Sequence, residues 1–129
     1  MAVLLIEVDI RTKIRKGNKV VRGIDHVVIA VNDIKKACET YKKMGFKVTP
    51  KALHPFGTEN FLIQLNGNFI EIVGINNISL VPPHTKEKYS FAQANVDFLS
   101  YKEGMSSLVF QSLDARRDRE EFLASGLHT

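Results

Sequence analysis

The sequence predicts an α+β fold of paired β-α-β-β-β modules, in which the first module is complete and the second is truncated after its helix. Three observations predict it. A strand is followed by an amphipathic helix near the start of the chain, a similar segment begins again at Gly104, and Asn66-Gly67 marks a hairpin between two apolar runs. The chain of 129 residues favours one domain, and 44% hydrophobic with 25% charged residues excludes a disordered or collagen-like chain.

The first strand and helix are signalled by their residue pattern and by both helix ends. Residues 24–31 are almost all apolar or β-branched, which is typical of a strand. Asp33 is a favourable N-cap, and Gly45 is a favourable residue just beyond the last turn. Between them, five residues recur at helical spacing and share one face: Ile34, Ala37, Cys38, Tyr41 and Met44.

The second segment, residues 104–114, aligns without a gap on residues 23–33, and a helical pattern follows it from Ala115. The identities fall on residues that begin or end elements: Gly23 with Gly104, Asp33 with Asp114, and Gly45 with Gly126. This placement indicates a structural repeat. The sequence ends directly after the second helix, so we expect the last three strands of the second module to be missing.

The remainder of the first module reads as short strands joined by turns. If Asn66-Gly67 is a two-residue loop, Leu62 lies opposite Glu71. We expect strands at 46–49, 60–65 and 69–73, and a loop at 51–59. The chain then divides into a basic arm (1–22, strand or hairpin), the first module (about 23–75), a connector with a helix at 89–101 (76–103) and the partial second module (104–129).

The positive net charge belongs to the arm. Residues 1–22 carry six basic and two acidic side chains, whereas residues 23–129 carry twelve of each. No aromatic residue is interleaved with the basic ones, so a charged edge strand is favoured over nucleic-acid binding. The longest apolar run, residues 1–6, is too short to span a membrane. With Cys38 as the single cysteine, no intramolecular disulfide forms, and we expect a cytoplasmic protein.

The two faces of the predicted hairpin differ in polarity. One face is uniformly apolar and is expected to pack on a helix: Phe61, Ile63, Leu65, Ile70 and Ile72. The opposite face mixes polar and apolar residues: Asn60, Leu62, Gln64, Phe69, Glu71 and Val73. A mixed face suits a concave surface that binds a small molecule, and a solvent-facing sheet is the alternative.

His26 interrupts the apolar strand 24–31, and Glu71 is its candidate partner. A histidine in a strand is either a hydrogen-bonded core residue or a ligand-binding residue. Imidazole with carboxylate suits a divalent metal such as zinc, iron, manganese or nickel. Two ligands alone do not hold such an ion firmly.

These residues resemble a known superfamily. Gly-Ile-Asp-His26 at the start of strand one and Phe69-Ile-Glu71 in strand four resemble the vicinal oxygen chelate superfamily, which includes glyoxalase I, extradiol dioxygenases and bleomycin-resistance proteins. The stretch 54–62 (HPFGTENFL) resembles the glyoxalase-like domain branch more specifically. The resemblance implies two modules around a cleft, with metal-dependent members taking ligands from strands one and four of each module.

Carried over by this resemblance, His26 and Glu71 stand at the metal-ligand positions of the first module, and Ser107 stands where the second module has its counterpart of His26. Serine is a poor ligand for these metals. The resemblance also implies that polar residues near the mouth of the cleft contact a ligand, although Gly57-Thr58 also suits a purely structural loop. The candidate ligand-binding residues are His54, Thr58, Asn60 and Gln64.

Three functions stay open at this point, and whether the chain is an enzyme is among the open questions. The first is a protein that binds a small molecule without a complete metal site of its own. The second is a metal-dependent lyase, isomerase or dioxygenase whose site is completed in a homodimer. The third is a fragment without activity, in which the strand at 108–113 has an open edge. We expect such an edge to drive dimerisation or strand exchange, or to be covered by the N-terminal arm.

Overall fold

A mixed β-sheet with helices on both faces forms the structure, a computed structural model that describes residues 3–8 and 22–127. In this part of the chain the sheet has six strands, in the order β1-β6-β2-β5-β4-β3. The strands are β1 (Val3–Val8), β2 (Ile24–Ala30), β3 (Ala52–Leu53), β4 (Thr58–Gln64), β5 (Phe69–Ile75) and β6 (Gly104–Ser112). The helices are α1 (Ile34–Lys43), α2 (Phe91–Leu99) and α3 (Ala115–Ala124), with a short 3₁₀ helix at Ile78–Leu80.

The predicted repeat of strand and helix is confirmed in β2–α1 and β6–α3. Asp33 caps α1 by accepting a hydrogen bond from the Lys36 backbone, and Asp114 caps α3 in the same way. Gly45 and Gly126 follow the two helices with φ of 91° and 82°, a left-handed conformation that glycine adopts without a steric penalty. The α+β fold class with related modules is therefore confirmed.

The hairpin between β4 and β5 has the predicted register. The Leu65 backbone nitrogen donates to the Asn68 carbonyl at 3.0 Å, and Leu62 lies opposite Glu71. Gly67 has a φ of 87°, as this turn requires. Because side chains alternate along a strand, this register decides which residues of the hairpin face each side of the sheet.

The sheet has a separate apolar core on each side. On one side, Phe61, Ile63 and Ile72 pack against α1, as predicted. On the other side, α2 covers four buried residues through Phe91, Phe98 and Leu99; the four are Val28, Ala30, Val73 and Val109. The placement of α2 was not predicted. It removes Val73 from the surface expected to bind a ligand.

Several predicted boundaries were wrong. Residues 46–49 do not form a strand, and only Val48 makes an isolated bridge, to Ile63. Pro50 has no backbone N–H and ends the pairing there, so β3 forms instead inside the predicted loop. β4 begins at Thr58 and β5 ends at Ile75, two residues beyond the prediction at each point. α2 begins later than predicted because the Ser90 side chain caps it, and it ends at Leu99 instead of residue 101.

β1 runs parallel to β6 along the side of β6 that faces away from β2. Strand pairing therefore covers the edge of β6 in the described part of the chain. Residues 9–21, which hold most of the basic arm, lie outside the described residues, as do residues 1–2 and 128–129. Of the helices in the described ranges, none is long and apolar enough to cross a membrane.

A partly buried ion pair attaches α3 to the sheet. Arg22, just before β2, donates from both terminal guanidinium nitrogens to the Asp118 carboxylate, and the Ser112 hydroxyl donates to the same carboxylate. The hydrogen bonds from Arg22 hold the pKa of Asp118 below its ordinary value; burial opposes this shift, and Ser112 and the charge of Arg117 support it. The folded state thus favours the ionised form of Asp118.

This depressed pKa predicts acid sensitivity. Because the pKa of Asp118 is lower in the folded than in the unfolded state, its stabilisation is present above the unfolded value, near 3.8, and is lost as the pH falls through the folded pKa. We expect Asp118→Asn to unfold at lower urea concentration than the wild type at pH 7, with the difference shrinking below about pH 3.8. Glu120→Gln, an exposed change on the same helix, is the control; equal stability of Asp118→Asn and wild type at pH 7 would contradict the prediction.

Candidate functional site

His26 and Glu71 come together on one face of the sheet. β2 and β5 are parallel neighbours in which His26 lies opposite Phe69 and Val28 opposite Glu71, so His26 and Glu71 are diagonal neighbours. His26 Nε2 is 3.5 Å from Glu71 Oε2. The two residues are 3% and 9% exposed. The structure therefore brings the two candidate metal ligands together at the centre of the sheet.

The other ring nitrogen of His26 faces Asp25, with Nδ1 2.6 Å from Asp25 Oδ2. Neighbouring residues of a regular strand point to opposite faces. The pairing of β2 with β6 is irregular here, because Ile24 is opposite Phe110 while His26 is opposite Val109. Asp25 is thus the extra residue of a β-bulge, which redirects its side chain towards the histidine.

Asp25 is a site residue that the sequence analysis missed. The aspartate is visible beside His26 in the sequence, but strict alternation assigns it to the opposite face. A bulge depends on the register with a strand some 80 residues away, and no local pattern announces it. A carboxylate accepts hydrogen bonds and does not donate them, so His26 carries a proton on Nδ1.

The ring of His26 is held by stacking as well. It lies on the Phe69 ring with centroids 4.4 Å apart and planes inclined by 13°. Together with the hydrogen bond to Asp25, this contact fixes the plane of the imidazole and the direction of Nε2. Nε2 accordingly points to Glu71.

Glu71 is held ionised by its neighbours. Asn60 Nδ2 donates to Glu71 Oε1 at 2.7 Å. Burial raises the pKa of Glu71, but hydrogen bonds with His26 and Asn60 and the electrostatic influence of His26 and His54 outweigh it, so the pKa is lowered overall. At neutral pH this side chain is therefore an acceptor of hydrogen bonds.

The other candidate ligand-binding residues have different positions. His54 Nδ1 is hydrogen-bonded to Thr58 Oγ1 at 2.7 Å, and its ring stacks on Phe56. Thr58 is fully buried and is able to act on a ligand only through His54. Gly57 has a φ of 84°, and a Cβ there would lie 2.3 Å from the Asn77 carbonyl oxygen, so this glycine shapes the loop. Gln64 is exposed at the end of β4 and lies opposite Phe69, which stacks on His26.

The His26–Glu71 pair fits two ligands of one metal ion. Zinc bonds of about 2.0–2.1 Å at tetrahedral angles place ligand atoms about 3.4 Å apart, close to the observed 3.5 Å. Asp25 holds the distal nitrogen as carboxylates do behind metal-bound histidines. However, the described residues contain no group of three His, Cys, Asp or Glu that could hold an ion, and the second-module position is Ser107. The side chains present do not complete a metal site.

The cluster combines polar and apolar groups on one face of the sheet. His26, Glu71 and Asn60 provide an imidazole nitrogen, an ionised carboxylate and an amide, while half-buried Leu62 and Phe69 add apolar surface beside them. α2 closes the other end of the same face. A few polar groups beside apolar side chains are one feature of small-molecule sites.

Comparison with known proteins agrees with the fold. A family profile described as "Glyoxalase-like domain" matches residues 24–129. The methylmalonyl-CoA epimerase of Mycobacterium tuberculosis, a vicinal oxygen chelate protein, is similar in structure, with a TM-score of 0.61 and 21% identity over 81% of this chain and 64% of that one. A hypothetical protein of Bacillus halodurans C-125 is also similar in structure, with a TM-score of 0.63 and 18% sequence identity. The match covers 81% of this chain and 69% of that one.

A third structure, a hypothetical protein of Staphylococcus aureus, has a TM-score of 0.66 and 17% identity over 84% of this chain and 43% of that one. A search of curated proteins found no match. This chain therefore spans 69, 64 and 43% of the three structures. At these identities the similarity establishes the fold, and it confirms the resemblance noted in the sequence.

The role of Asp25 is testable by NMR of the His26 ring. In long-range ¹H–¹⁵N spectra we expect the wild type to show a protonated Nδ1, because Asp25 accepts its hydrogen bond. Asp25→Ala removes that acceptor and should favour the form in which only Nε2, which faces the ionised Glu71, carries a proton, whereas Asp25→Asn keeps an acceptor oxygen and should restore most of the wild-type pattern. Glu59→Ala, on the opposite face of β4, is the control; an unchanged ring in Asp25→Ala would refute this role.

Proposed function

This chain belongs to the family of glyoxalase-like domains, and we propose that it binds a small polar molecule on the sheet face around His26, Asn60 and Glu71 without a complete metal site of its own. One observation carries the proposal. The three polar side chains are hydrogen-bonded or in close contact on a mostly apolar sheet. Only His26 and Glu71 among these three are side chains that commonly ligate divalent metals.

The chemistry of the cluster specifies the ligand. Each oxygen of Glu71 has one close polar neighbour in the protein and accepts a second hydrogen bond readily. A ligand with an amine, amide or hydroxyl donor therefore matches Glu71. Leu62 and Phe69 provide an apolar surface beside it. The proposed ligand is a small molecule that combines such a donor with an apolar body.

A ligand screen by thermal unfolding in the presence of EDTA tests this proposal. A matching ligand at a hundredfold excess over its Kd should stabilise the protein by about 2.7 kcal/mol without any divalent ion. Loss of a hydrogen bond to a charged group costs about 1.5–3 kcal/mol, so Glu71→Gln and Asn60→Ala should weaken binding by about 10- to 100-fold. Glu59→Gln is the matched control. Stabilisation that appears only with added metal would rule the proposal out.

A second candidate is a metal-dependent lyase, isomerase or dioxygenase whose site is completed by a second copy of the chain. The separation of His26 Nε2 and Glu71 Oε2 favours it, since that separation suits two ligands of one ion. Two copies would supply two histidines and two glutamates around a shared position. The similar structure named as an epimerase is a precedent for isomerase chemistry on this fold.

Native mass spectrometry of protein purified without chelator separates the two candidates. If the site is shared, we expect a dimer that carries one or two divalent ions, and His26→Ala should lose them because one of each pair of ligands is gone. His84→Ala, a change in the connector between β5 and α2, should leave the ion bound. An ion-free wild type would exclude the shared site and leave the first candidate.

A further inference from the structure

The pairing of β1 with β6 has the same register as the pairing of β5 with β2. In the first module, strand four runs parallel to strand one, with Phe69 opposite His26. The repeat places Ser107 at the position of His26, and Val3 lies opposite Ser107, again in a parallel pair. The following pairs keep the same offset. Leu5, opposite Val109, therefore occupies the position equivalent to Glu71, which lies opposite Val28.

We infer that the N-terminal strand Val3–Val8 serves as the fourth strand of the second module. The sheet order supports this, because β5 and β1 are the outer neighbours of β2 and β6, which pair with each other at the centre. The pair β6 and β1 in the second module thus corresponds to the pair β2 and β5 in the first. In the described part of the chain, the strand parallel to β6 thus comes from the N-terminal side of β2.

The length of the connection shows that one chain is sufficient for this pairing. β1 ends at Val8, opposite Ser112, and β2 begins at Ile24, opposite Phe110, so both ends lie at the same end of β6. The path from β1 to β2 crosses two inter-strand spacings, about 10 Å. The 15 residues between them can extend to about 50 Å. The proposed occupant of this edge is therefore the strand of the same chain, since the pairing requires no exchange between copies.

This assignment has a consequence for the binding site, and that part rests on the proposed function. The positions equivalent to His26 and Glu71 hold Ser107 and Leu5 in the second module. Leucine has no donor atom for a metal, and serine is a poor ligand for divalent ions such as zinc and iron. In the described part of the second module, these two positions thus offer no carboxylate or imidazole, and the candidate metal ligands of the sheet face lie in the first module.

A disulfide between paired positions tests the placement in the full-length chain. Glu7 lies opposite Gln111. Directly paired strand residues lie within the Cα separation that a disulfide spans. In a Cys38→Ser background, Glu7→Cys with Gln111→Cys should form a disulfide within one chain under mild oxidation. Leu4→Cys with Leu108→Cys is a second pair in the same register.

Glu7→Cys with Met105→Cys is the matched control, because Met105 is six residues along β6 from Gln111, about 20 Å away. Disulfides within monomers for both paired variants, and none for the control, would support the inference. A disulfide between two chains would show that the strand comes from a second copy, and free thiols in both paired variants would show another register; either result overturns it. The ligand screen depends on the first module alone, so failure here is distinguishable from failure of the proposed function.

Discussion

The parallel pairing of β2 with β5 is the constraint on which the rest of the structure depends. It aligns two strands that are about 45 residues apart in the sequence, and its register makes His26 a diagonal neighbour of Glu71. The same register assigns Phe61 and Ile72 to the core under α1 and Val73 to the core under α2, because side chains alternate along each strand. A slip of one residue would exchange the faces and place charged groups in both cores.

The buried polar cluster is tolerated because its groups satisfy one another. A carboxylate removed from water without partners costs several kcal/mol and normally becomes protonated instead. Around Glu71, the amide of Asn60 and the imidazole of His26 compensate for burial, and Asp25 in turn accepts the proton on the far side of the ring. The cluster is therefore a network in which each member fixes the orientation of the next, and loss of any one member alters the others.

Local signals in the sequence predicted the fold well, and non-local ones account for what was missed. The caps at Asp33 and Asp114 and the turn at Asn66-Gly67 are determined by residues close in the chain, and the structure has all of them. The bulge at Asp25 and the position of α2 depend on strands and surfaces far away in sequence, so no short pattern reveals them. His26 and Glu71 were proposed as partners from their chemistry, and the family resemblance placed both at metal-ligand positions. Their spacing in the sequence contains no information on the distance between them.

The position of α2 also has a consequence for the proposed site. Since α2 occupies the sheet face at Val73, the stretch of β4 left beside it on this face extends only from Asn60 to Gln64, about 13 Å. For the proposed ligand, this length predicts a preference for short molecules over ones that would extend along the whole strand.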